Sequence, residues 1–236
     1  MDSSDYMDSS DYEKIFRKEA QQYQGLVSRE DYEGSILPAL QEICDFNGRT
    51  IVDTGAGTGR LMKLLAPLAQ TIVGFDISPA MLAVAAQELR ESSYTNWTLA
   101  AADHRHLPLP PHSADVIISG WSLCYLALDQ DEPWREPLRE VFGRLQRVLR
   151  PGGTIIILET QGTGFTSPNP PDFMLDYFSF LEESGFQSRW IRTDYQFESA
   201  QEAVELSRFF FGDELGDQVA KSGSNLLPEC TGIWWL

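Results

Sequence analysis

Short apolar, β-branched runs alternate along this chain with longer segments whose apolar residues recur every three or four positions. That alternation predicts strands separated by helices. The runs at 50–53, 71–75, 97–101, 115–119 and 154–159 read as five strands. Between them, Leu61, Leu64, Leu65 and Leu68 fall at helical spacing from about Arg60. Ser78 and Pro79 open a helix in the N-cap and first-turn positions they favour. An amphipathic helix over about 133–149 then leads through Arg150-Pro151-Gly152-Gly153 into the fifth strand. This rhythm predicts an α/β fold, a doubly wound parallel sheet with helices on both faces.

The ends of the chain follow less regular patterns. Residues 13–24 and 28–46 read as helices, with Ser28 as N-cap of the second. Met1-Asp2-Ser3-Ser4-Asp5-Tyr6 recurs as Met7-Asp8-Ser9-Ser10-Asp11-Tyr12, a literal duplication with the form of a start-site or coding artefact. Its polar, acidic composition predicts little order up to about Ser10. After the fifth strand come a glycine and proline loop at 161–171, a helix at 171–184, a strand at 187–197, a helical insertion at 199–223 with Phe209-Phe210-Phe211, and a closing strand at 229–236. The organisation expected is one domain over 1–236: an N-terminal arm and helices at 1–46 that form a lid, a ligand-holding half at 47–160, and acceptor-side helices with a terminal strand pair at 161–236.

The joint after the first strand carries the most chemistry. Ile51-Val52-Asp53-Thr54-Gly55-Ala56-Gly57-Thr58-Gly59-Arg60 places three alternating glycines between a buried strand and a helix. Glycine there tolerates positive φ, lets a ligand approach the backbone and leaves amide donors of the helix N-terminus free. Asp76 ends the second strand, where an acid of a doubly wound sheet reaches the hydroxyls of a ribose, and Asp103 follows the third. A dinucleotide fold shares this logic, but its fingerprint is G-x-G-x-x-G. Here Arg60 occupies the place of the third glycine.

These motifs, D-x-G-x-G-T-G-R, D-I-S-P-x-M-L, D-x-x-x-L-P and L-R-P-G-G in order, resemble the class I S-adenosylmethionine-dependent methyltransferases, in particular their broad small-molecule group. The resemblance is close over 48–159 and looser through Leu181-Glu182-Glu183-Ser184-Gly185-Phe186. It implies a Rossmann-like seven-stranded sheet of order 3-2-1-4-5-7-6, with strand 7 antiparallel. It implies S-adenosyl-L-methionine as cofactor and S-adenosyl-L-homocysteine as product. Asp53 with Gly55, Ala56, Gly57, Thr58 and Gly59 would hold the methionyl part, Asp76 the ribose, Ile77 and Met81 the adenine faces, and Asp103 the adenine amino group. His104 would lie beside the ring, and Thr54, Ser78 and Gly120 complete the set.

The resemblance assigns no catalytic residue. Relatives often carry a histidine pair shortly after the fourth strand, where Cys124 and Tyr125 stand here, so no general base carries over. Asn169-Pro170-Pro171-Asp172-Phe173 resembles the N-P-P-aromatic signature of amino-directed methyltransferases, but it follows the fifth strand rather than the fourth and reads as a loop and helix start. Methyl transfer is an in-line displacement, so positioning supplies most of the catalysis. Tyr23, Trp121, Tyr125 and Phe165 are the candidate acceptor-binding residues, and Tyr12, Tyr23 and Tyr32 candidate lid residues. Each also reads as an ordinary packing aromatic.

Charge and cysteine usage narrow the partners. A formal net charge of −17 over 236 residues repels phosphate backbones and anionic bilayers, so a small-molecule acceptor is expected, with no nucleic acid and no membrane. Arg144, Arg147 and Arg150 read as a solvated helix face. Two rival functions stay open: methylation of a protein or basic peptide, and a catalytically silent S-adenosylmethionine-binding partner subunit. Cys44, Cys124 and Cys230 form no redox or metal motif, and His104, His106 and His112 lack partners at ligand spacing, so no metal is expected. Without an apolar leader or spanning run, a cytoplasmic location is the expectation.

Overall fold

The computed structural model describes residues 9–127 and 133–236. Alternation along each strand builds its two faces, because successive side chains point to opposite sides of a sheet. In β1 (Thr50–Thr54), Ile51 joins one core and Val52 the other. In β5 (Leu149–Thr163), Ile155 and Ile157 face the Val52 side while Ile156 and Leu158 face the Ile51 side. Leu138, Val141, Phe142 and Leu145 of α6 (Arg135–Val148) and Tyr177, Phe180 and Leu181 of α7 (Asp172–Glu183) cover the first face. The second is covered by Ile36 and Leu40 of α3 (Ile36–Gln41), Met62 and Leu65 of α4 (Arg60–Leu65), and Leu89 of α5 (Pro79–Glu91).

One sheet holds seven strands: β2 (Thr71–Asp76), β3 (Trp97–Ala101), β4 (Ala114–Gly120), β6 (Gln187–Arg192) and β9 (Glu229–Trp235) join β1 and β5. Their order is β3-β2-β1-β4-β5-β9-β6, with β9 antiparallel to both neighbours. This is the expected topology; the last strand is the ninth because β7 (Tyr195–Gln196) and β8 (Leu226–Leu227) form a separate ribbon. Strand order reverses between β1 and β4, so their carboxyl ends open a crevice there, the usual ligand position in such sheets. Because β9 runs backwards, its first residue reaches the same edge as the last residues of β1, β4 and β5.

Several boundaries differ from expectation. Ser28 caps the C-terminus of α2 (Ala20–Val27), its hydroxyl donating to the Gly25 carbonyl, and opens no helix; serine serves either end, and the apolar spacing beyond it belongs to a turn and the short α3. The first N-terminal segment breaks at Glu19 between α1 (Ser9–Lys18) and α2. Most of the duplicated stretch lies outside the described residues. The strand expected over 187–197 stops at Arg192: the Thr193 amide still donates to the Glu229 carbonyl, but the carbonyls of Thr193 and Asp194 turn to the amides of Asp31 and Tyr32. The helical insertion forms α8 (Ala200–Phe211) and α9 (Asp213–Ser222), which pack with Leu26 of α2 on Tyr195, Phe197 and Leu227. No described helix is long and apolar enough to cross a membrane.

Candidate functional site

The glycine turn is built by its own amides. The N–H groups of Gly55 and Ala56 both donate to the Phe75 carbonyl at 2.8 Å, Gly59 donates to Ala56, and Gly57 donates to Asp76 Oδ2 at 2.8 Å. Amides expected to be free for a ligand are therefore spent fastening the turn to the end of β2. With only six residues in α4, the helix dipole adds little there. What the glycines supply is room. A Cβ at Gly55, whose φ is +81°, would stand 1.9 Å from Ser122 Oγ, while one at Gly57 would meet nothing within 4 Å. Gly59, at φ +87°, lets Ala85 of α5 approach and does not line the cavity.

That cavity, of about 420 Å³, opens over the ends of β1, β2 and β4. It brings together Asp53, Gly55, Ala56, Gly57, Thr58, Asp76, Ile77, Ser78, Met81, Asp103, His104 and Gly120, with Tyr23, Trp121 and Tyr125. Asp53 is 1% exposed and neither of its carboxylate oxygens has a hydrogen-bond partner among the described residues. Burial, with Asp76 nearby, pushes its pKa up to about 8 against the opposing pull of Arg60. Asp76 accepts from Gly57 through one oxygen and from the Ser78 amide through the other, which leaves lone pairs on both. Burial raises its pKa as well.

Other candidates are more committed to the protein than the sequence suggests. Asp103 caps a 3₁₀ turn and is gripped by Arg105 through the backbone amide, Nε and Nη2, which hold its pKa down at about 2. His104 bridges Thr54 Oγ1 (2.6 Å) and Ser122 Oγ (2.9 Å), with desolvation lowering its pKa to about 4. The ring is thus neutral and ties the end of β1 to the segment after β4. Thr54 is fully buried behind it and is not a wall of the cavity. Ser78 accepts from Met81 as an N-cap and donates to the Phe16 carbonyl at 2.7 Å, joining α1 to the site. Ile77 stays 69% exposed at the rim.

The N-terminal helices close one side. Tyr12, Phe16 and Tyr23 meet Tyr125 and Phe210 in a ring cluster, with Tyr12 and Phe16 at 5.6 and 5.5 Å from Tyr125 and Tyr23 at 5.2 Å from Phe210. Two of the sequence candidates lie elsewhere. Tyr32 is exposed beside Glu33 and lines no part of the cavity, and Phe165, on the loop after β5, lies outside it as well. Phe210 of α8, which was not a sequence candidate, stands in the ring cluster.

A second chamber of about 90 Å³ continues from the first, sharing Tyr12, Tyr23, Arg60, Trp121 and Tyr125. Trp121 adopts a left-handed φ of +49°, an uncommon conformation for a bulky residue, and the Arg60 guanidinium lies 3.7 Å over its ring. Arg60 pairs with Glu30, which also accepts from Thr193 and Tyr195. Glu159 accepts from the Cys124 amide and Tyr177, and burial lifts its pKa to about 7. Glu229 Oε1 accepts from Thr160 at 2.6 Å while Oε2 has no hydrogen-bond partner among the described residues. Sequence reasoning missed all three glutamates. The available signal was positional: Glu159 sits near the carboxyl end of the fifth strand, and Glu229 opens an antiparallel strand at that same edge. Arg105, His106, Arg144 and Arg147 line a further hollow of about 240 Å³, and Arg144 and Arg147 are exposed on their helix, as expected.

Comparison with known proteins finds methyltransferases. A family model described as methyltransferase domain matches residues 52–157. A malonyl-[acyl-carrier protein] O-methyltransferase of Xylella fastidiosa is 35% identical over 61% of this chain and 46% of its own length. A phosphoethanolamine N-methyltransferase of Triticum aestivum is 30% identical over 53% of this chain and 23% of its own. The chain thus spans less than half the length of either relative. Among solved structures, an S-adenosylmethionine-dependent methyltransferase from Aquifex aeolicus superposes with a TM-score of 0.55 over 97% of both chains at 16% identity, a likeness of fold.

Proposed function

From the match of residues 52–157 to a family model described as methyltransferase domain, we propose that this protein transfers a methyl group from S-adenosyl-L-methionine to a small-molecule acceptor. The observation that carries the cofactor reading is Asp53: a carboxylate buried at the crevice with both oxygens unpartnered. An unpaired buried charge is costly, which is why this acid holds its proton up to about pH 8 without a ligand. A cationic ligand at that point relieves the cost, and the methionyl ammonium is such a group. The donor set fits the rest. Asp76 keeps lone pairs for ribose hydroxyls, Gly57 leaves open space where a side chain would intrude, and Met81 with Ile77 offers apolar surface for an adenine.

When bound, S-adenosylmethionine supplies an electrophilic methyl carbon on a sulfonium. The residues of this chain hold and orient. The ring cluster of Tyr12, Phe16, Tyr23, Tyr125 and Phe210 excludes water, and Trp121 and Arg60 separate the cofactor cavity from the smaller chamber where an acceptor would sit. An enclosed, largely aromatic site supports a small acceptor, and the net charge of −17 argues against nucleic acid. Relatives named for oxygen and nitrogen acceptors leave the methylated atom to be read from the site itself.

The test is a melting shift followed by an acceptor screen. S-adenosylmethionine and S-adenosylhomocysteine at about a hundred times Kd each stabilise the protein by roughly 2.7 kcal/mol, whereas NAD does nothing. A shift with NAD and none with either sulfur ligand overturns the cofactor. Turnover confined to RNA, DNA or protein tails overturns the acceptor class alone.

A further inference from the structure

Resting on that reading, we propose that the smaller chamber is an amine subsite: the acceptor enters as an ammonium, and Glu229 Oε2 receives its hydrogen bond and its proton. The chamber is floored by Glu30, Glu159 and Glu229, brought from the turn after α2, from β5 and from β9. Each is at most 8% exposed. Among the described residues the only guanidinium lining it, that of Arg60, is already paired with Glu30 and stacked on Trp121. Two carboxylates therefore lack a counter-charge. Glu159 has its donors in Cys124 and Tyr177, but Glu229, which lines the chamber beside the Thr163 hydroxyl, has no hydrogen-bond partner on Oε2 among the described residues.

An ammonium answers each deficit. It brings a positive charge to an acidic chamber and up to three donors, one of which completes Glu229. Its cationic head also lies among the faces of Tyr23, Tyr125 and Phe210, which attract cations. A hydroxyl brings one donor and no charge, and a carboxylate adds to the repulsion. The protons balance in the ionised fraction that a pKa of about 8 leaves at pH 7.5, a fraction that the arriving cation enlarges: an ammonium that gives one proton to the ionised Glu229 leaves a neutral amine with its lone pair free and a neutral carboxylic acid. Glu229 suits that exchange, because burial and Glu30 push its pKa up to about 8 while Thr160, Thr163 and Arg60 hold it from rising further. The other charged or titratable groups facing it are Glu159 from β5, Tyr195 from β7 and Asp194, whose carboxylate accepts the Glu229 amide.

The experiment needs no turnover. Benzylamine and phenethylamine, with benzyl alcohol, 2-phenylethanol and phenylacetate as matched controls, are titrated calorimetrically into the full chain at pH 7.5, with and without S-adenosylhomocysteine. The amines are expected to bind about tenfold more tightly than the alcohols, the scale of one charge-assisted hydrogen bond, and phenylacetate least. Glu229→Gln keeps an acceptor for Thr160 and is expected to erase the amine preference while leaving the S-adenosylhomocysteine affinity unchanged. Amines binding no better than alcohols, or a preference that survives in Glu229→Gln, overturns the subsite. If that variant does not fold, the wild-type comparison alone decides. Absence of S-adenosylhomocysteine binding would instead sink the methyltransferase reading, so the two failures are separable.

Discussion

The turn after β1 and the chamber beside it share walls but are assembled in opposite ways. The turn is local: Asp53 through Gly59 are contiguous, and their partners Phe75 and Asp76 lie one strand away. The chamber is remote: Glu30, Glu159 and Glu229 meet only because β9 inserts between β5 and β6 and the chain before β1 folds back over Thr193 and Tyr195. Both regions bury unpartnered carboxylate oxygens, on Asp53 and on Glu229. A contiguous motif thus advertises its ligand in the sequence, whereas a site gathered from three distant segments advertises it only through buried charge in the folded state.

The sharpest way to break the local half is Gly55→Val. The new side chain must enter a left-handed φ and displace Ser122 and His104, whose nearest atoms stand 1.9 and 2.9 Å from the new Cβ. Backbone strain and overpacking together are expected to cost about 2–5 kcal/mol and to abolish the S-adenosylmethionine melting shift. Urea denaturation and calorimetry check both. A variant that binds the cofactor with normal affinity would remove the turn from the site. Asp76→Ala follows in size: cofactor affinity is expected to fall roughly tenfold to a hundredfold through lost charge-assisted bonds. Folding is expected to survive, at reduced stability, since the Gly57 and Ser78 amides lose their shared acceptor.

A pH series sharpens the comparison, because both halves hold acids whose pKa is raised: Asp53 to about 8, Glu229 to about 8 and Glu159 to about 7. A raised acid is protonated in the folded state while the unfolded chain has already ionised. Its contribution is therefore full below the unfolded value near 4 and is lost as pH rises toward the folded value. Asp103, held near 2, acts with the opposite sign but only in more acidic solution, while His104, lowered to about 4, also acts with the opposite sign up to about pH 6.5 and there offsets one of the three acids. The ligand-free protein is expected to lose melting temperature steadily from pH 5 to 8. Asp53→Asn should flatten that slope and weaken S-adenosylmethionine binding; Glu229→Gln should flatten it and leave cofactor binding alone. A melting temperature that rises with pH over this window would contradict the burial of these groups as acids.

The same local-against-remote division explains what could be read before folding. Strand periodicity, the capping of α5 by Ser78, and the order of the Asp53, Asp76 and Asp103 segments are each short-range, and the structure places them accordingly. Ser28 misled because a hydroxyl caps either helix end, and only the surrounding carbonyls decide which. The break after Arg192 was invisible because it depends on Asp31 and Tyr32, more than a hundred residues earlier. Phe165 was offered for its place just after the fifth strand, whereas Phe210 owes its position to the docking of α8 against α2 and the ribbon of β7 and β8.

That exchange of aromatics sets the smallest predicted effect. Phe165 lies on the loop after β5, half-buried and away from both chambers, with its carbonyl near the Cys230 thiol. Phe165→Ala is expected to leave cofactor affinity and the KM for any amine acceptor within about twofold of wild type, the range of a substitution outside a binding surface. Phe210→Ala removes a ring that touches Tyr12, Phe16 and Tyr23, and is expected to raise the acceptor KM with cofactor affinity little changed. Steady-state kinetics on the two variants side by side, with each melting temperature, separates wall from loop. If Phe165→Ala were the variant that raised KM, the acceptor would sit over the loop after β5 rather than beneath the N-terminal helices, and the chamber lined by Glu229 would lose its role.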